Sequence, residues 1–253
     1  MMRTFLRGGK ADEKPAEQAV AQAAEQAGRK RRRDAGQTQI TARDRAVLPW
    51  VGDQYAVRLD QLQWLLDRSE DQAAPRPKQA GLDGARKVLA RWEALGFAES
   101  RKVYSDQPRW LWLTAKGLAR LERGYRYKEP AQSRFDHYYA VNQVRLYLEG
   151  PASPQAVVWR PEREIKPWGA SDRNPHYADA EVEVQGRTVA IEVERTTKKP
   201  ADLLAILQVL AAGYARTWYF VLPTPRPGLE RALARMPEAD RKKFDLLRLD
   251  TLL

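Results

Sequence analysis

The hydrophobic pattern is most regular between His176 and Lys198, where apolar and charged residues alternate. Alternation with a period of two is typical of a strand that has one buried face. It occurs on both sides of a Gln185-Gly186 step, which is suited to a tight turn. The sequence therefore predicts a β-hairpin whose apolar positions are Val182 and Val184 before the turn and Val189, Ile191 and Val193 after it.

Helical and strand-like patterns surround this hairpin and give the order α-β-β-β-α-β. The strand before the hairpin is broken at Pro161, and a further helix and strand at the C-terminus are expected to complete the edge of the sheet. The predicted elements around the hairpin are a helix at 137–149, a strand at 156–166, a helix at 201–215, a strand at 218–222 and a helix at 228–235.

The chain before residue 128 has a different pattern, which predicts three helices, a pair of strands and a fourth helix. Thr41 is suited to cap the first helix, Pro49 disturbs its last turn, and Gly96 is placed to end the third. Residues 71–78 are predicted to form a loop. The six elements are expected, in chain order, over residues 42–51, 59–68, 82–95, 97–104, 109–114 and 114–123.

Composition narrows the class of protein. The 253 residues include 44 Lys and Arg against 33 Asp and Glu, so the formal net charge is +11. This charge favours a polyanionic partner, although an arginine-rich solvated surface gives the same total. The absence of cysteine excludes disulfides and Cys-based zinc sites, and P-loop, dinucleotide-binding and Ser-His-Asp motifs are absent. With no apolar run long enough to span a membrane, the protein is expected in the cytoplasm and away from membranes.

Residues 1–38 are poor in aromatic and β-branched residues and include five consecutive cations at 29–33. Such a composition predicts a disordered arm. Arg31, Arg32 and Arg33 are expected to bind DNA phosphates, and a purely solubilising tail is an equal alternative.

Acidic residues and a lysine gather at one end of the predicted hairpin. Asp179 lies on its first strand, Glu192 and Glu194 share one face of the second because they are two residues apart, and Lys198 follows. Carboxylate oxygens suit Mg²⁺ or Mn²⁺, and an ammonium offsets the charge of a phosphodiester under attack. A solvated strand face lined with Glu and Arg has the same spacing and is the alternative.

Three helices followed by a hairpin and a helix, with LGF ending the third helix and LT opening the fourth, resemble a winged helix-turn-helix domain. The resemblance implies a recognition helix in the major groove and a wing on the phosphates. A winged helix that docks on a protein is the alternative. The DNA-binding residues would be Arg86, Lys87 and Arg91 on the third helix and Arg101, Lys102 and Arg109 on the wing.

The later order α-β-β-β-α-β, with Asp179 and Glu192 on successive strands, resembles the restriction-endonuclease-like PD-(D/E)xK nuclease superfamily. Glu194 stands where that pattern has lysine, and Lys198 follows four residues later. The resemblance implies a Mg²⁺- or Mn²⁺-dependent DNA endonuclease. Asp179, Glu192, Glu194 and Lys198 would be catalytic, and Asp179, Glu192 and Glu164 would hold the metal.

Several stretches between residues 40 and 222 resemble plasmid replication-relaxation proteins: TARDRAVLPWVGDQYAVRLDQL, HYYAVNQVRLYLE, WRPEREI and HYADAEVEV with VAIEVERTTKK. The resemblance implies a DNA-binding protein of a plasmid or other mobile element that acts in replication, relaxation or mobilisation. Its partners would be double-stranded DNA and a relaxase or replication protein, with monomer and homodimer both open. Alternatives are a non-catalytic DNA-binding regulator and an adaptor that recruits the relaxase or replication protein.

These patterns together predict an α+β or α/β protein in three segments. Residues 1–38 form the arm, 39–128 the winged helix-turn-helix domain, and 129–253 the restriction-endonuclease-like αβββαβ domain. Of the two histidines, His137 is expected to cap or bond the backbone at the start of a helix. His176 is expected either in a structural role or in contact with a carboxylate or phosphate.

Overall fold

The computed structural model describes residues 39–69, 82–151, 153, 156–167 and 176–253. Residues Gln39–Leu253 form one compact unit of helices and two β-sheets, which is the mixed α/β class expected from the sequence. Among the described residues, no helix is both long and apolar enough to cross a bilayer. The predicted arm, with Arg31, Arg32 and Arg33, and the predicted loop at 71–78 lie outside the described residues.

Helices and a three-stranded antiparallel sheet form the N-terminal part of this unit. The strand order is β1-β3-β2, so β3 is central, and side chains of the three longer helices and of the sheet share one core. In chain order the elements are α1 (Ala42–Asp53), β1 (Val57–Arg58), α2 (Leu59–Ser69), α3 (Asp83–Ala94), β2 (Ala98–Arg101), β3 (Trp110–Leu113) and α4 (Ala115–Ala119).

Local hydrogen bonds fix the helix ends in this part. The Thr41 hydroxyl accepts from the backbone N–H of Asp44 at 3.2 Å, and the Asp44 carboxylate accepts from the backbone N–H of Thr41 at 2.7 Å. This capping box confirms Thr41 as the N-cap of α1. Gly96 follows α3 with φ of +69°, in the left-handed region that glycine favours. The fourth helix is shorter than predicted, since the chain leaves it after Ala119 and Glu122 adopts φ of +55°.

A five-stranded sheet flanked by helices forms the C-terminal part. The strand order is β4-β5-β6-β7-β8, with antiparallel pairing from β4 to β6 and parallel pairing from β6 to β8. The final strand lies at an edge, as predicted. The elements are α5 (Phe135–Leu148), β4 (Val158–Pro161), α6 (Glu162–Ile165), β5 (Ala180–Val184), β6 (Arg187–Glu194), α7 (Pro200–Gly213), β7 (Thr217–Val221), α8 (Arg226–Ala234), α9 (Glu238–Arg241) and β8 (Phe244–Arg248).

The β5–β6 hairpin confirms the predicted turn. Gln185 and Gly186 both have positive φ, 51° and 73°, which is the conformation of a two-residue turn that follows the twist of its strands. Odd-numbered β6 residues such as Ile191 share a core with Val144 of α5. Even-numbered residues such as Ala190 share a different core with Leu207 of α7. Glu192 and Glu194 therefore lie on the face of the sheet that α7 covers.

The structure corrects two predicted placements and adds two short elements. The strand expected over 156–166 ends at Pro161, and residues Glu162–Ile165 form the short helix α6. Proline has no N–H to donate to a strand ladder but is tolerated at a helix start. Asp179 lies one residue before β5 rather than on it. The two-residue strand β1 and the four-residue helix α9 were not predicted, because both are too short to produce a periodic pattern.

Buried polar contacts join α5 to the N-terminal part. The Asn142 side chain donates to the carbonyl of Ala56 at 2.9 Å, and Arg145 donates to Asp53 at 3.0 Å. Both side chains of the Arg145–Asp53 pair are buried. The domain boundary expected at 128–129 falls within residues 124–131, which carry neither helix nor strand.

Candidate functional site

Carboxylates meet where β6 ends beside the start of β5. Glu192 and Glu194 lie on β6 and are only 4 % and 3 % exposed. Ala180 pairs with Ile191, so Asp179 comes level with Glu192 across the antiparallel pair. The backbone N–H of Val193 donates to Asp179 Oδ2 at 2.9 Å and fixes that carboxylate against β6.

Each of two carboxylates is hydrogen-bonded to a histidine. His137, near the start of α5, places Nε2 2.8 Å from Asp179 Oδ1. His176, three residues before Asp179, places Nε2 2.8 Å from Glu192 Oε1. The expectation that His137 only caps its helix is therefore wrong, since its ring reaches a carboxylate 42 residues away in the sequence. For His176, the carboxylate contact is the expected alternative that the structure supports.

Burial and charge move the pKa values of the two carboxylates in opposite directions. Burial raises the pKa of Asp179, but the charge and hydrogen bond of His137 outweigh it and the pKa lies below its ordinary value. Burial, followed by the negative charge of Asp179, raises the pKa of Glu192 to about 7. Divergent pKa values in a pair of carboxylates are typical of acid–base sites. Near neutral pH, Asp179 is ionised while Glu192 can hold or release a proton.

A lysine and a tyrosine complete this arrangement. Lys198 Nζ donates to Glu194 Oε2, and the backbone N–H of Thr196 donates to Glu194 Oε1 at 3.3 Å. Tyr219 on β7 lies opposite Glu192 in the parallel pairing. Burial raises the pKa of Tyr219, and the charges of Glu192 and Glu194 raise it further. We call the group of His137, His176, Asp179, Glu192, Glu194, Lys198 and Tyr219 the carboxylate–histidine cluster.

Of the three metal ligands predicted from the sequence, Asp179 and Glu192 come together and Glu164 does not. Glu164 lies in α6, where it accepts a hydrogen bond from the Tyr125 hydroxyl at 2.6 Å and pairs with Arg123. The α6 carboxylate that interacts with Asp179 is instead Glu162, whose pKa is raised first by burial and then by the Asp179 charge. No group of three or more His, Asp or Glu side chains in the described part of the chain is arranged to hold a metal ion.

The donor chemistry of the cluster explains this result. The Glu192 carboxylate is bonded to His176 and the Glu194 carboxylate to Lys198, so the charge that a divalent ion would neutralise is already offset. As arranged, the predicted set of Asp179, Glu192 and Glu164 does not fit Mg²⁺ or Mn²⁺, which need several converging oxygens.

Of the three cations predicted to face DNA from α3, two lie on its exposed surface. Arg86 is exposed and pairs with Asp83 one turn away, at 2.6 Å, and Lys87 is also exposed. Arg91 instead donates two hydrogen bonds to the buried carboxylate of Asp44, at 2.9 and 2.7 Å. The Arg91 guanidinium joins α3 to α1. The prediction that Arg91 is exposed beside Arg86 and Lys87 is therefore wrong.

The cations predicted on the β2–β3 hairpin are all exposed. Arg101 pairs with Glu129 at 2.9 Å, Lys102 donates to the carbonyl of Gln107, and Arg109 donates to the carbonyl of Ser100 at 3.5 Å. The hairpin therefore presents Arg101, Lys102 and Arg109 to solvent.

Comparisons with protein-family models and with curated proteins gave no match. The crystal structure of protein VC1899 from Vibrio cholerae is similar, with 16 % sequence identity and a TM-score of 0.26. The match covers 83 % of this chain and 50 % of that one, so the chain spans about half the length of the protein it matches. A TM-score of this size supports no inference about fold or function.

Proposed function

We propose that this protein binds double-stranded DNA through the exposed faces of α3 and of the β2–β3 hairpin. The element order α1-β1-α2-α3-β2-β3, with strand order β1-β3-β2, supports a winged helix-turn-helix arrangement. In such an arrangement α3 is the recognition helix and the hairpin is the wing. The observation that carries the proposal is the exposure of five cations on these two elements, which are Arg86, Lys87, Arg101, Lys102 and Arg109. We call these five side chains the α3–hairpin surface.

The present contacts of these cations are of a kind that phosphates can replace. The side chains of Arg86 and Asp83 are 61 % and 81 % exposed, and those of Arg101 and Glu129 are 54 % and 57 % exposed. Exposed ion pairs contribute only about 0–1 kcal/mol. Exchanging them for DNA phosphates costs little, and the release of counterions from DNA favours the exchange.

The proposed cellular role is based on the resemblance of the sequence to plasmid replication-relaxation proteins. We place the protein in the cytoplasm, on a plasmid or other mobile element, where it acts in replication, relaxation or mobilisation. The part from residue 129 onwards would be a nuclease-like domain, supported by the order α5-β4-α6-β5-β6-α7-β7, in which the short helix α6 interrupts the expected α-β-β-β-α-β order. In the non-catalytic form of the proposal, this domain recruits a relaxase or replication protein of the same element.

A second candidate function is cleavage of a DNA strand at the carboxylate–histidine cluster. The observation that favours it is the position of Asp179 level with Glu192 across the β5–β6 pair, with Lys198 bonded to Glu194 just after the end of β6. The opposite directions in which the pKa values of Asp179 and Glu192 move are consistent with an acid–base role. Mg²⁺ or Mn²⁺ would enter this candidate only after His176 and Lys198 release their carboxylates.

Two experiments test these functions separately. Fluorescence anisotropy of a labelled plasmid-derived duplex measures binding, and loss of affinity in an Arg86→Ala/Lys87→Ala variant supports the α3–hairpin surface. Supercoiled plasmid incubated with the protein, with Mg²⁺, Mn²⁺ or EDTA, measures cleavage. Nicked product that disappears in Asp179→Asn supports the second candidate, and intact plasmid in every condition leaves DNA binding as the function.

A further inference from the structure

A large cleft opens beside the segment that connects the two sheets. Its volume is about 870 Å³, within the roughly 300–1,000 Å³ typical of ligand pockets. It is lined by the connector after α4 and by residues near α5 and α6. Six cationic side chains line it: Arg123, Arg126, Lys128, Arg134, Arg163 and Lys166. We call it the basic cleft.

Three glutamates also line the basic cleft, but each has a partner or a reason to lose its charge. Glu129 pairs with Arg101 at 2.9 Å, and Glu164 accepts from the Tyr125 hydroxyl at 2.6 Å. Burial raises the pKa of Glu162, and the nearby Asp179 charge raises it further. The cleft therefore keeps a positive potential suited to an anionic ligand.

Arg163 is a half-buried cation in the lining of the cleft. Its Nε and Nη1 atoms are buried, and neither has a hydrogen-bond partner among the described residues. Its guanidinium instead lies 4.4 Å from the centre of the Tyr55 ring and 5.7 Å from that of Tyr125. A buried donor without an acceptor is unfavourable, so a small rotation of the side chain onto a ligand oxygen would stabilise the complex.

Aromatic rings lie among these cations. Tyr55 and Tyr138 stack with their ring centres 5.4 Å apart, and the guanidinium of Arg134 lies 5.4 Å from the Tyr138 ring centre. Both tyrosines line the basic cleft. Cations that follow a phosphate backbone, combined with aromatic rings on which bases stack, are the usual elements of single-strand binding sites.

The basic cleft adjoins the carboxylate–histidine cluster. Tyr55, Tyr138 and Glu162 line the cleft and also line a small cavity of about 20 Å³ that contains His137 and Asp179. The cleft and the cavity beside His137 therefore share part of their walls.

We propose that the basic cleft binds a nucleoside phosphate, either free or as a unit of single-stranded nucleic acid. The phosphate would contact Arg163, the exposed cations Lys128 and Arg134 and the half-buried Lys166, and the base would stack on a tyrosine ring. None of the six cations of the basic cleft belongs to the α3–hairpin surface, so different variants test the two sites.

The test uses the full-length protein and two fluorescent probes, a short labelled oligothymidylate and a labelled adenosine diphosphate. Lys128→Gln/Lys166→Gln removes two cations of the cleft, and the matched control Arg235→Gln/Lys242→Gln removes two exposed cations that do not line it. We expect the first variant to bind the oligonucleotide at least about tenfold more weakly, with a log–log salt slope smaller by about 1.4. The control should bind as the wild type does.

Arg163→Lys adds a test of geometry, because it keeps the charge and removes the planar donor pair. We expect it to weaken binding while the melting temperature stays near that of the wild type. If adenosine diphosphate does not displace the bound oligonucleotide, the ligand is a nucleic-acid strand. If adenosine diphosphate itself binds tightly, the ligand is a free nucleotide. Equal affinities of the wild type and the Lys128→Gln/Lys166→Gln variant for both probes would overturn the proposal, whatever the result for duplex DNA.

Discussion

The fully buried carboxylate of Asp44 on α1 accepts two hydrogen bonds from the guanidinium of Arg91 on α3, at 2.9 and 2.7 Å. The Trp92 indole N–H donates to the same carboxylate at 2.9 Å. Burial raises the pKa of Asp44, but the hydrogen bonds from Arg91 and Thr41 outweigh it, and the pKa lies below its ordinary value. The pair thus fixes α3, the proposed recognition helix, against α1.

Replacing Arg91 with alanine should destabilise the protein rather than only weaken DNA binding. The substitution leaves the Asp44 carboxylate buried without its cation, and removal of one partner of a buried pair typically costs about 3–5 kcal/mol. We expect the free energy of unfolding to fall by about 3 kcal/mol. This is the low end of the range, because Trp92 and Thr41 still donate hydrogen bonds to Asp44. Urea denaturation followed by circular dichroism measures the loss.

Arg86→Ala is the matched control, since it removes an arginine from the exposed side of the same helix. Its pair with Asp83 is exposed, so the change in the free energy of unfolding should stay within about 0.5 kcal/mol. If Arg91→Ala and Arg86→Ala unfold at the same urea concentration, the assigned role of Arg91 in packing is wrong.

The carboxylate–histidine cluster predicts a loss of stability as the pH rises through neutrality. Burial lowers the pKa values of His137 and His176, but the charges and hydrogen bonds of Asp179 and Glu192 raise both above 6.5. A group with a raised folded pKa stabilises the protein fully below its unfolded pKa, and this contribution is lost as the pH rises through the folded pKa. Glu192 acts in the same direction, because burial and Asp179 raise its pKa to about 7.

We therefore expect the free energy of unfolding to fall with pH, between about 4.5 and about 7 because of Glu192 and from about 6.5 upwards because of the two histidines. The His137→Gln/His176→Gln variant should have a flatter profile from about 6.5 upwards, because glutamine does not titrate. Urea titrations at a series of pH values supply both profiles, with Arg248→Gln as an exposed control. Parallel profiles for the wild type and the double variant would show that the two histidines are not coupled to folding.

Local patterns predict the parts of this fold that depend on neighbours in the sequence. The β5–β6 turn follows from Gln185-Gly186 within alternating valines, and the start of α1 follows from Thr41 three residues before Asp44. Contacts across long separations could not be predicted in this way. His137 reaches Asp179 only because α5 packs on the sheet, and helical spacing alone gives no sign of that packing.

The same limit explains the two site residues that sequence reasoning misplaced. Arg91 lies on α3 at a spacing that suits an exposed face, but Asp44 is 47 residues away and draws its guanidinium inward. Glu164 was expected on a strand beside Asp179, but Pro161 ends that strand and the helix that follows turns Glu164 towards Tyr125. In both cases the tertiary partner, and not the local pattern, decides where the side chain points.

Competition between protein cations and a metal ion gives a further prediction. Lys198 and His176 already offset the charge of Glu194 and Glu192. Removing both in a His176→Ala/Lys198→Ala variant leaves buried carboxylates with no cation, which a divalent ion would stabilise. Millimolar Mg²⁺ should therefore raise the melting temperature of this variant more than that of the wild type.

Asp179→Asn in the same variant is the control, since it removes one carboxylate and should reduce the effect of Mg²⁺. Differential scanning fluorimetry with and without EDTA measures the shifts. If Mg²⁺ raises the melting temperature of the wild type more than that of the His176→Ala/Lys198→Ala variant, protein cations and metal do not compete for these carboxylates. That result would favour a metal site in the native arrangement.

Duplex DNA binding through the α3–hairpin surface is tested most directly by the salt dependence of affinity. The fourfold variant Arg86→Ala/Lys87→Ala/Arg101→Ala/Arg109→Ala is compared with the wild type and with Arg235→Ala/Lys242→Ala, by anisotropy of a labelled duplex at several salt concentrations. We expect the fourfold variant to bind more weakly, with a log–log slope reduced by about 0.9 for each phosphate that it no longer neutralises, while its melting temperature is unchanged. An affinity and slope equal to those of the wild type would contradict the assignment of this surface to DNA.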